Sequence, residues 1–357
     1  MFEEFMGTKP VSERHRFDPA ALDAWLRAHV DGYPAAGELT AAQFKGGQSN
    51  PTFKLSIGDA RYVLRTKPAP AEKLLPSAHA IDREYRVMDA LSKAGFPAPR
   101  QYALCLDESV IGRAFYVMEF IEGRVLWDQS LPGMTPAERA AIYDEQNRVI
   151  AQLHTIDYAA IGLADYGKPG NYFARQIERW SKQYVASQTE TIEAMDALIA
   201  WLPAHIPPGD ATAIVHGDYR LDNMIFHPTE PRILAVLDWE LSTLGHPFAD
   251  FSYHCMSWHI EPGQFRGIAG LDLPALGIPS QQEYIEKYAQ RTGRTIELKD
   301  FGFYLAFNMF RLASIMQGIM KRYVDGTAAS AQALESGRMA RPMAELGWAY
   351  AQGKRIA

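Results

Sequence analysis

Residues 52–57 and 61–65 alternate apolar with polar positions, as Thr52-Phe53-Lys54-Leu55-Ser56-Ile57 and Arg61-Tyr62-Val63-Leu64-Arg65, with the turn pair Gly58-Asp59 between them. A period of two broken by a Gly/Asp turn predicts a β-hairpin. Gly46-Gly47-Gln48-Ser49-Asn50 stands where the turn from a preceding strand belongs, which makes three antiparallel strands. Over 77–94 the period changes: Ile81, Tyr85, Met88 and Leu91 recur at helical spacing, Glu84 lies on the same helix, and Gly95 supplies the stop. Two further apolar runs, 102–106 and 115–121, read as strands and end at Glu122-Gly123.

Beyond Gly123 the character turns helical. Thr135-Pro136-Ala137-Glu138 is a capping box with proline at the first helical position, and Ser280 with Glu283 repeats the spacing. Helices are predicted over 172–186, 190–201, 281–290, 301–320 and 328–350, with short β-like runs at 213–215, 224–226 and 233–237. The pattern predicts an α+β, bilobal chain. Residues 1–121 form a small N-terminal lobe of five antiparallel strands plus one helix, and 122–357 a larger, mainly helical C-terminal lobe.

Composition adds exclusions. The chain has 357 residues, 47% hydrophobic and 22% charged, enough to bury a sizeable core. With 36 basic against 42 acidic residues, a net charge of -6, it lacks a basic footprint for nucleic acid or an anionic membrane. Cys105 and Cys255 lie far apart and have no metal-ligand spacing, so reduced, structural thiols are expected. Neither a signal-peptide run nor a membrane-spanning stretch is visible, and a cytoplasmic protein is expected.

The strongest chemical signal is His216-Gly217-Asp218-Tyr219-Arg220-Leu221-Asp222-Asn223, followed by Asp238 in Val236-Leu237-Asp238-Trp239. Asp218 precedes Asn223 by five positions, the spacing of a kinase catalytic loop, and Asp238 stands as the second metal-binding carboxylate. Phosphoryl transfer needs a base to orient the attacking hydroxyl and hard oxygen ligands to hold Mg²⁺. Asp218 is the candidate base, and Asn223 and Asp238 the candidate ligands. A turn between strands would also use Asp and Gly; Asn223 and Asp238 in register argue against that plainer reading.

The loop resembles that of the aminoglycoside phosphotransferase and choline kinase superfamily, whose members write it His-Gly-Asp. The resemblance covers most of the chain: the turn Gly46–Asn50, Glu84 in Arg83-Glu84-Tyr85-Arg86, Val117-Met118-Glu119-Phe120-Ile121-Glu122-Gly123, the catalytic loop, Asp238, and Gly245-His246-Pro247-Phe248-Ala249-Asp250. Within the superfamily, Tyr62-Val63-Leu64-Arg65-Thr66-Lys67-Pro68 and the stretch from Arg311 to Gly318 look most like the kinase-like domain that animals fuse to an acyl-CoA dehydrogenase, and like its free-standing bacterial relatives. The resemblance implies a protein-kinase-like fold and an ATP- and Mg²⁺-dependent kinase. Gly46, Gly47, Gln48, Ser49 and Asn50 are then expected at the ATP phosphates, where glycine lets backbone N–H groups approach closely. Glu119 and Ile121 are expected to offer main-chain groups to adenine, and Asp250 to steady the loop.

One position departs from the family. Arg65 stands where lysine is frequent, and Lys67 shares its strand face, so spacing leaves both cations open for the phosphates. Arg65, paired with Glu84, is the favoured choice, because a guanidinium binds carboxylate or phosphate bidentately. The acceptor-side segments 165–203 and 251–279 carry acids and bases in near balance, which disfavours a polycationic aminoglycoside. A small hydroxylated acceptor follows, with the resemblance suggesting a hydroxyacyl compound or its CoA thioester. A nucleotide-binding pseudokinase or interaction module, and an aminoglycoside- or choline-type kinase, are the alternatives. Oligomeric state and the choice of ATP over GTP are open.

Overall fold

The computed structural model describes residues 7–45, 50–68, 80–328 and 332–354. The chain divides into two compact units. One comprises Met1–Trp127, Tyr158–Tyr166 and Leu221–Ser242; the other comprises Asp128–Asp157, Gly167–Arg220 and Thr243–Ala357. The sequence cut near Ile121 is contiguous, whereas two later segments cluster with the first unit.

The first unit holds a six-stranded antiparallel sheet: β1 (Thr8–Lys9), β2 (Thr40–Phe44), β3 (Thr52–Ile57), β4 (Ala60–Thr66), β5 (Gln101–Cys105) and β6 (Phe115–Glu119), in the order β1-β2-β3-β4-β6-β5. Phe53, Leu55 and Ile57 of β3 are buried between half-buried neighbours, as the alternation predicts, whereas β4 is buried without a break from Tyr62 to Thr66. The three β3 residues, with Tyr62 and Leu64, pack with Leu22 and Leu26 of α1 (Pro19–His29). The expected sheet had five strands and one helix. The two-residue β1 is too short to carry a pattern, and α1 shows only two fully buried positions, although Asp18 caps it by accepting from Ala20 N and Pro19 opens it. On the predicted helix, α2 (Ile81–Lys93), the buried positions are Ile81, Glu84, Val87, Met88 and Leu91. A carboxylate therefore sits in the apolar stripe.

Two later pieces of chain belong to this unit for visible reasons. Arg83 Nη2 donates to Tyr166 O at 2.7 Å, and the Tyr166 hydroxyl lies 2.7 Å from Ser242 Oγ. The hairpin of β8 (Met224–Phe226) and β9 (Ile233–Val236) is tied in by mutual backbone hydrogen bonds between Arg124 and Phe226, each 2.8 Å. Gly123 makes that approach possible: a Cβ there would stand 2.3 Å from Phe226 O.

The second unit is helical apart from one two-stranded ribbon, β7 (Ala213–Val215) with β10 (Thr243–Gly245). Its helices are α3 (Pro136–Thr155), α4 (Tyr172–Ser187), α5 (Glu193–Trp201), α6 (Pro247–Cys255), α7 (Leu273–Leu276), α8 (Gln281–Thr292), α9 (Leu298–Val324), α10 (Ala333–Arg338) and α11 (Ala340–Ala351). Both capping boxes form, at Thr135/Glu138 and Ser280/Glu283. The long α9 is the hub, packed against α4, α6, α10 and α11. The single helix expected over 328–350 is two. Pro342 lacks the N–H that would bond to residue 338 and so fits only in the first turn of a new helix, α11. Both cysteines are free and buried. Among the described residues no helix is long and apolar enough to cross a membrane.

Candidate active site

In the first unit the chemistry gathers on one buried carboxylate. Glu84 is 2% exposed. Arg65 Nε lies 2.8 Å from its Oε2, the Tyr116 hydroxyl donates to Oε2 at 3.0 Å, and Asn50 Nδ2 donates to Oε1 at 2.7 Å. Strand register explains the set: Arg65 of β4 sits directly opposite Tyr116 of β6 and Thr52 of β3, so one sheet face delivers the ion-pair partner and a hydrogen-bond donor to α2. Burial pushes the Glu84 carboxyl up, and Arg65 pulls it back. Burial works against the Arg65 cation as well, but Glu84 and Asp238 outweigh it and hold the guanidinium charged.

Arg65 also reaches the hairpin. Its Nη2 donates to Asp238 Oδ1 at 2.8 Å and lies 3.8 Å from Glu240 Oε2. The Asp238 side chain is 32% exposed on a left-handed residue, φ +65°, that opens a short 3₁₀ turn, Trp239–Leu241. Trp239, buried edge-on against Phe96, locks that turn. Asn223 lies just before β8 and Leu237 just after β9, and Leu237 N donates to Asn223 O at 2.8 Å. One hairpin thus carries both hard-oxygen side chains at the same end. Among the described residues no group of three or more His, Cys, Asp and Glu is placed to hold a metal ion. An Asn/Asp pair fits Mg²⁺ nonetheless, since that ion keeps several waters and takes phosphate oxygens alongside one or two protein ligands.

In the second unit the loop 216–220 follows β7. Asp250, near the start of α6, accepts the backbone N–H groups of His216 at 2.7 Å and Gly217 at 2.8 Å. His154 of α3 lies 3.2 Å from the same carboxylate and 2.6 Å from the Tyr288 hydroxyl. Burial depresses the imidazole pKa against the pull of Asp250, and because a carboxylate only accepts, the ring donates from Nε2 to Asp250. On the far side of the loop Arg311 Nη2 donates to Gly217 O at 2.7 Å, and its guanidinium lies 5.4 Å from the Tyr253 ring centre and 5.8 Å from that of Trp180. Both oxygens of Asp218 are engaged: Oδ1 accepts from the Tyr253 hydroxyl at 2.6 Å and Oδ2 from Arg220 Nε at 2.9 Å. Burial, with the Asp218 charge, holds the Tyr253 phenol protonated.

The structure therefore brings Arg65, Glu84, Asn50 and Asp238 together. Gly46, Gly47, Gln48 and Ser49 lie outside the described residues. The Asn50 amide, expected among the phosphate donors, gives a hydrogen bond to Glu84, as a buried carboxylate requires. Glu119 N donates to Arg100 O at 2.8 Å, closing the sheet, and Ile121 is half-buried beyond the strand. Lys67 has no part in the Glu84 cluster, its backbone N–H going to Ala114 O at 3.0 Å. Sequence reading missed Tyr116, Glu240, Arg220, Tyr253 and the role of Arg311. Tyr116 looked like one more apolar strand residue, and Tyr253 like core. Arg311, a cation inside the long apolar run of α9, was a usable signal.

An antiparallel sheet unit with a glutamate-bearing helix, followed by a helical unit, is the mixed α+β arrangement of the protein-kinase-like fold. The chain belongs to the phosphotransferase enzyme family, whose model matches residues 40–290. It is 46% identical over 354 residues to acyl-CoA dehydrogenase family member 10 of Mus musculus, covering 98% of this chain but only 33% of that protein. A solved Ralstonia eutropha JMP134 protein, described as an aminoglycoside phosphotransferase, is 68% identical with a TM-score of 0.87, covering 94% of this chain and 99% of that one. Choline kinase of Cryptosporidium parvum Iowa II shares the fold at 14% identity and a TM-score of 0.65, covering 92% and 95% of the two chains.

Proposed function

We propose that the chain is an ATP- and Mg²⁺-dependent phosphotransferase that moves the γ-phosphate to a hydroxyl of a small molecule. The observation that carries this reading is the hairpin end at which Asn223 and Asp238 stand together, with Arg65 bonded to Asp238 and anchored by Glu84. Mg²⁺ held by Asn223 and Asp238 would neutralise charge on the phosphates. Arg65 and the Gly46–Asn50 turn grip the phosphates, and main-chain groups of Glu119 and Ile121 meet the adenine. Asp218 orients the acceptor hydroxyl and takes its proton, after the hydroxyl displaces Tyr253 or Arg220 from one carboxylate oxygen.

The acceptor belongs on the helical unit, and a hydroxyacyl compound or its CoA thioester is the class we favour. Kinship with a protein named as an acyl-CoA dehydrogenase family member supports that choice. A polycation is disfavoured on α4, whose single acid, Glu178, is bonded to Lys182 and stands among Arg175 and Arg179.

The test is acceptor-dependent ADP release by the purified protein with Mg²⁺ and ATP, across hydroxyacids, hydroxyacyl-CoAs, choline, sugars and aminoglycosides. Asp218→Ala is expected to abolish transfer while leaving nucleotide binding intact; unchanged turnover sinks the mechanism. A second reading, a nucleotide-binding module without transfer, is favoured by one observation: both candidate carboxylates, Asp218 and Asp238, are engaged by arginines. Binding of Mg²⁺ and nucleotide without turnover on any acceptor supports that reading.

A further inference from the structure

Arg65 uses different nitrogens of one planar group for its two partners: Nε faces Glu84 at 2.8 Å and Nη2 faces Asp238 at 2.8 Å. The Glu84 end cannot drift. That carboxylate is buried and further held by Tyr116 and Asn50, so the guanidinium plane is fixed and its outer edge is aimed at Asp238. The residue is itself only 10% exposed, which limits screening by water. A lysine at this position, a single point charge, would not keep one nitrogen in ion-pair contact with Glu84 while a second donates to Asp238.

The carboxylate so held is the one assigned to the metal in the preceding reading, on which this inference rests. A divalent cation arriving alone meets an Asp238 oxygen already hydrogen-bonded to a fixed positive charge, and is repelled by that charge. A triphosphate changes both conditions. It offers the guanidinium edge a bidentate oxygen pair in exchange for Asp238, and its own negative charge offsets the repulsion between Arg65 and the cation. We infer that Arg65 is a positioning residue that latches Asp238 and makes divalent-cation binding conditional on nucleotide. Free metal binds this chain poorly, and metal with nucleotide binds as a pair.

The experiment is titration of Mn²⁺ into the full chain with and without AMP-PNP, protein-bound ion being read by equilibrium dialysis against the same nucleotide concentration, because AMP-PNP itself chelates Mn²⁺. For the unsubstituted chain AMP-PNP is expected to tighten Mn²⁺ binding at least tenfold. Two variants remove the charge that faces Asp238: Arg65→Gln, which leaves Glu84 a donor, and Arg65→Met, which does not. Whichever folds, by its circular dichroism and cooperative melting, is expected to bind Mn²⁺ at least tenfold more tightly than the parent without nucleotide, and to gain less from AMP-PNP than the parent does. Nucleotide-free Mn²⁺ affinity equal to the parent's in a folded variant overturns the latch. Asp238→Asn is the control on the underlying reading: if it binds Mn²⁺ with AMP-PNP as tightly as the parent, Asp238 is not the ligand and the assignment itself fails, a result distinct from an unchanged Arg65 variant.

Discussion

Gly217 donates its backbone N–H to Asp250 across 2.8 Å, on the carboxylate that also takes the N–H of His216. Two acceptor oxygens thereby set the peptides immediately before Asp218. An amide cannot replace them, because its NH₂ end would face one of the two N–H donors. Asp250→Asn is expected to cost about 2–4 kcal/mol of stability, the range for leaving a buried donor and its partner unsatisfied, read by urea unfolding. Burial opposes ionisation of Asp250, but His154 and the loop amides hold its pKa below the usual carboxylate range. The stability it gives is thus present above that range and is lost as pH falls through the depressed value.

Three buried histidines give a second pH signature. His246, His254 and His259 have pKa values lowered to about 4, with burial the leading cause in each. The unfolded chain protonates them near pH 6.5, so between there and about 4 it binds protons the folded chain does not. Stability is expected to be full above pH 6.5 and to fall steadily below it. His254→Gln, which keeps a hydrogen-bonding partner for the Tyr284 hydroxyl, is expected to shrink the difference between unfolding free energies measured at pH 5 and pH 7.5.

Burial also separates two ion pairs that look alike in the sequence. Glu84→Gln breaks a pair on a 2% exposed carboxylate and is expected to cost about 3–5 kcal/mol, because Arg65 keeps a buried charge. Arg86, two residues on and on the exposed side of the same helix, pairs with Asp165 on side chains 43% and 77% exposed. Arg86→Ala is expected to cost no more than about 1 kcal/mol. Chemical denaturation of both variants checks the contrast.

Gly123→Ala is expected to destabilise the chain by about 1–3 kcal/mol, since the new methyl would meet Phe226 O at 2.3 Å and an Ile225 methyl at 2.5 Å. Gly58, with nothing within 4 Å of the corresponding position, gives no such clash; its φ of +55° makes any loss there one of backbone conformation. Thermal melting distinguishes the two if the Gly123 variant also loses protection of the Phe226 amide in hydrogen exchange.

What the sequence made legible follows from what periodicity can record. The β3–β4 hairpin and both capping boxes are local patterns and stand at the expected residues; the helix expected over 77–94 runs from Ile81 to Lys93, with 77–79 outside the described residues. The Arg65–Glu84 pairing was also foreseeable, because a cation on a strand and a carboxylate on the next helix follow a known order. Its extension to Asp238 was not: 173 residues separate the partners, and only the folded hairpin brings them together. Tyr116 and Tyr253 escaped for a related reason. Their rings are buried like any core aromatic, and only the hydroxyl at the tip does polar work.

The β8–β9 hairpin has its two candidate ligands at one end and its turn at the other, with residues 228–232 exposed. Length added at the turn is remote from the paired strands, so the separation of Asn223 from Asp238 is indifferent to it. A short reporter peptide grafted there would ride on the same strands as the ligands without altering their spacing, a practical handle for following the occupancy of this end of the hairpin in solution.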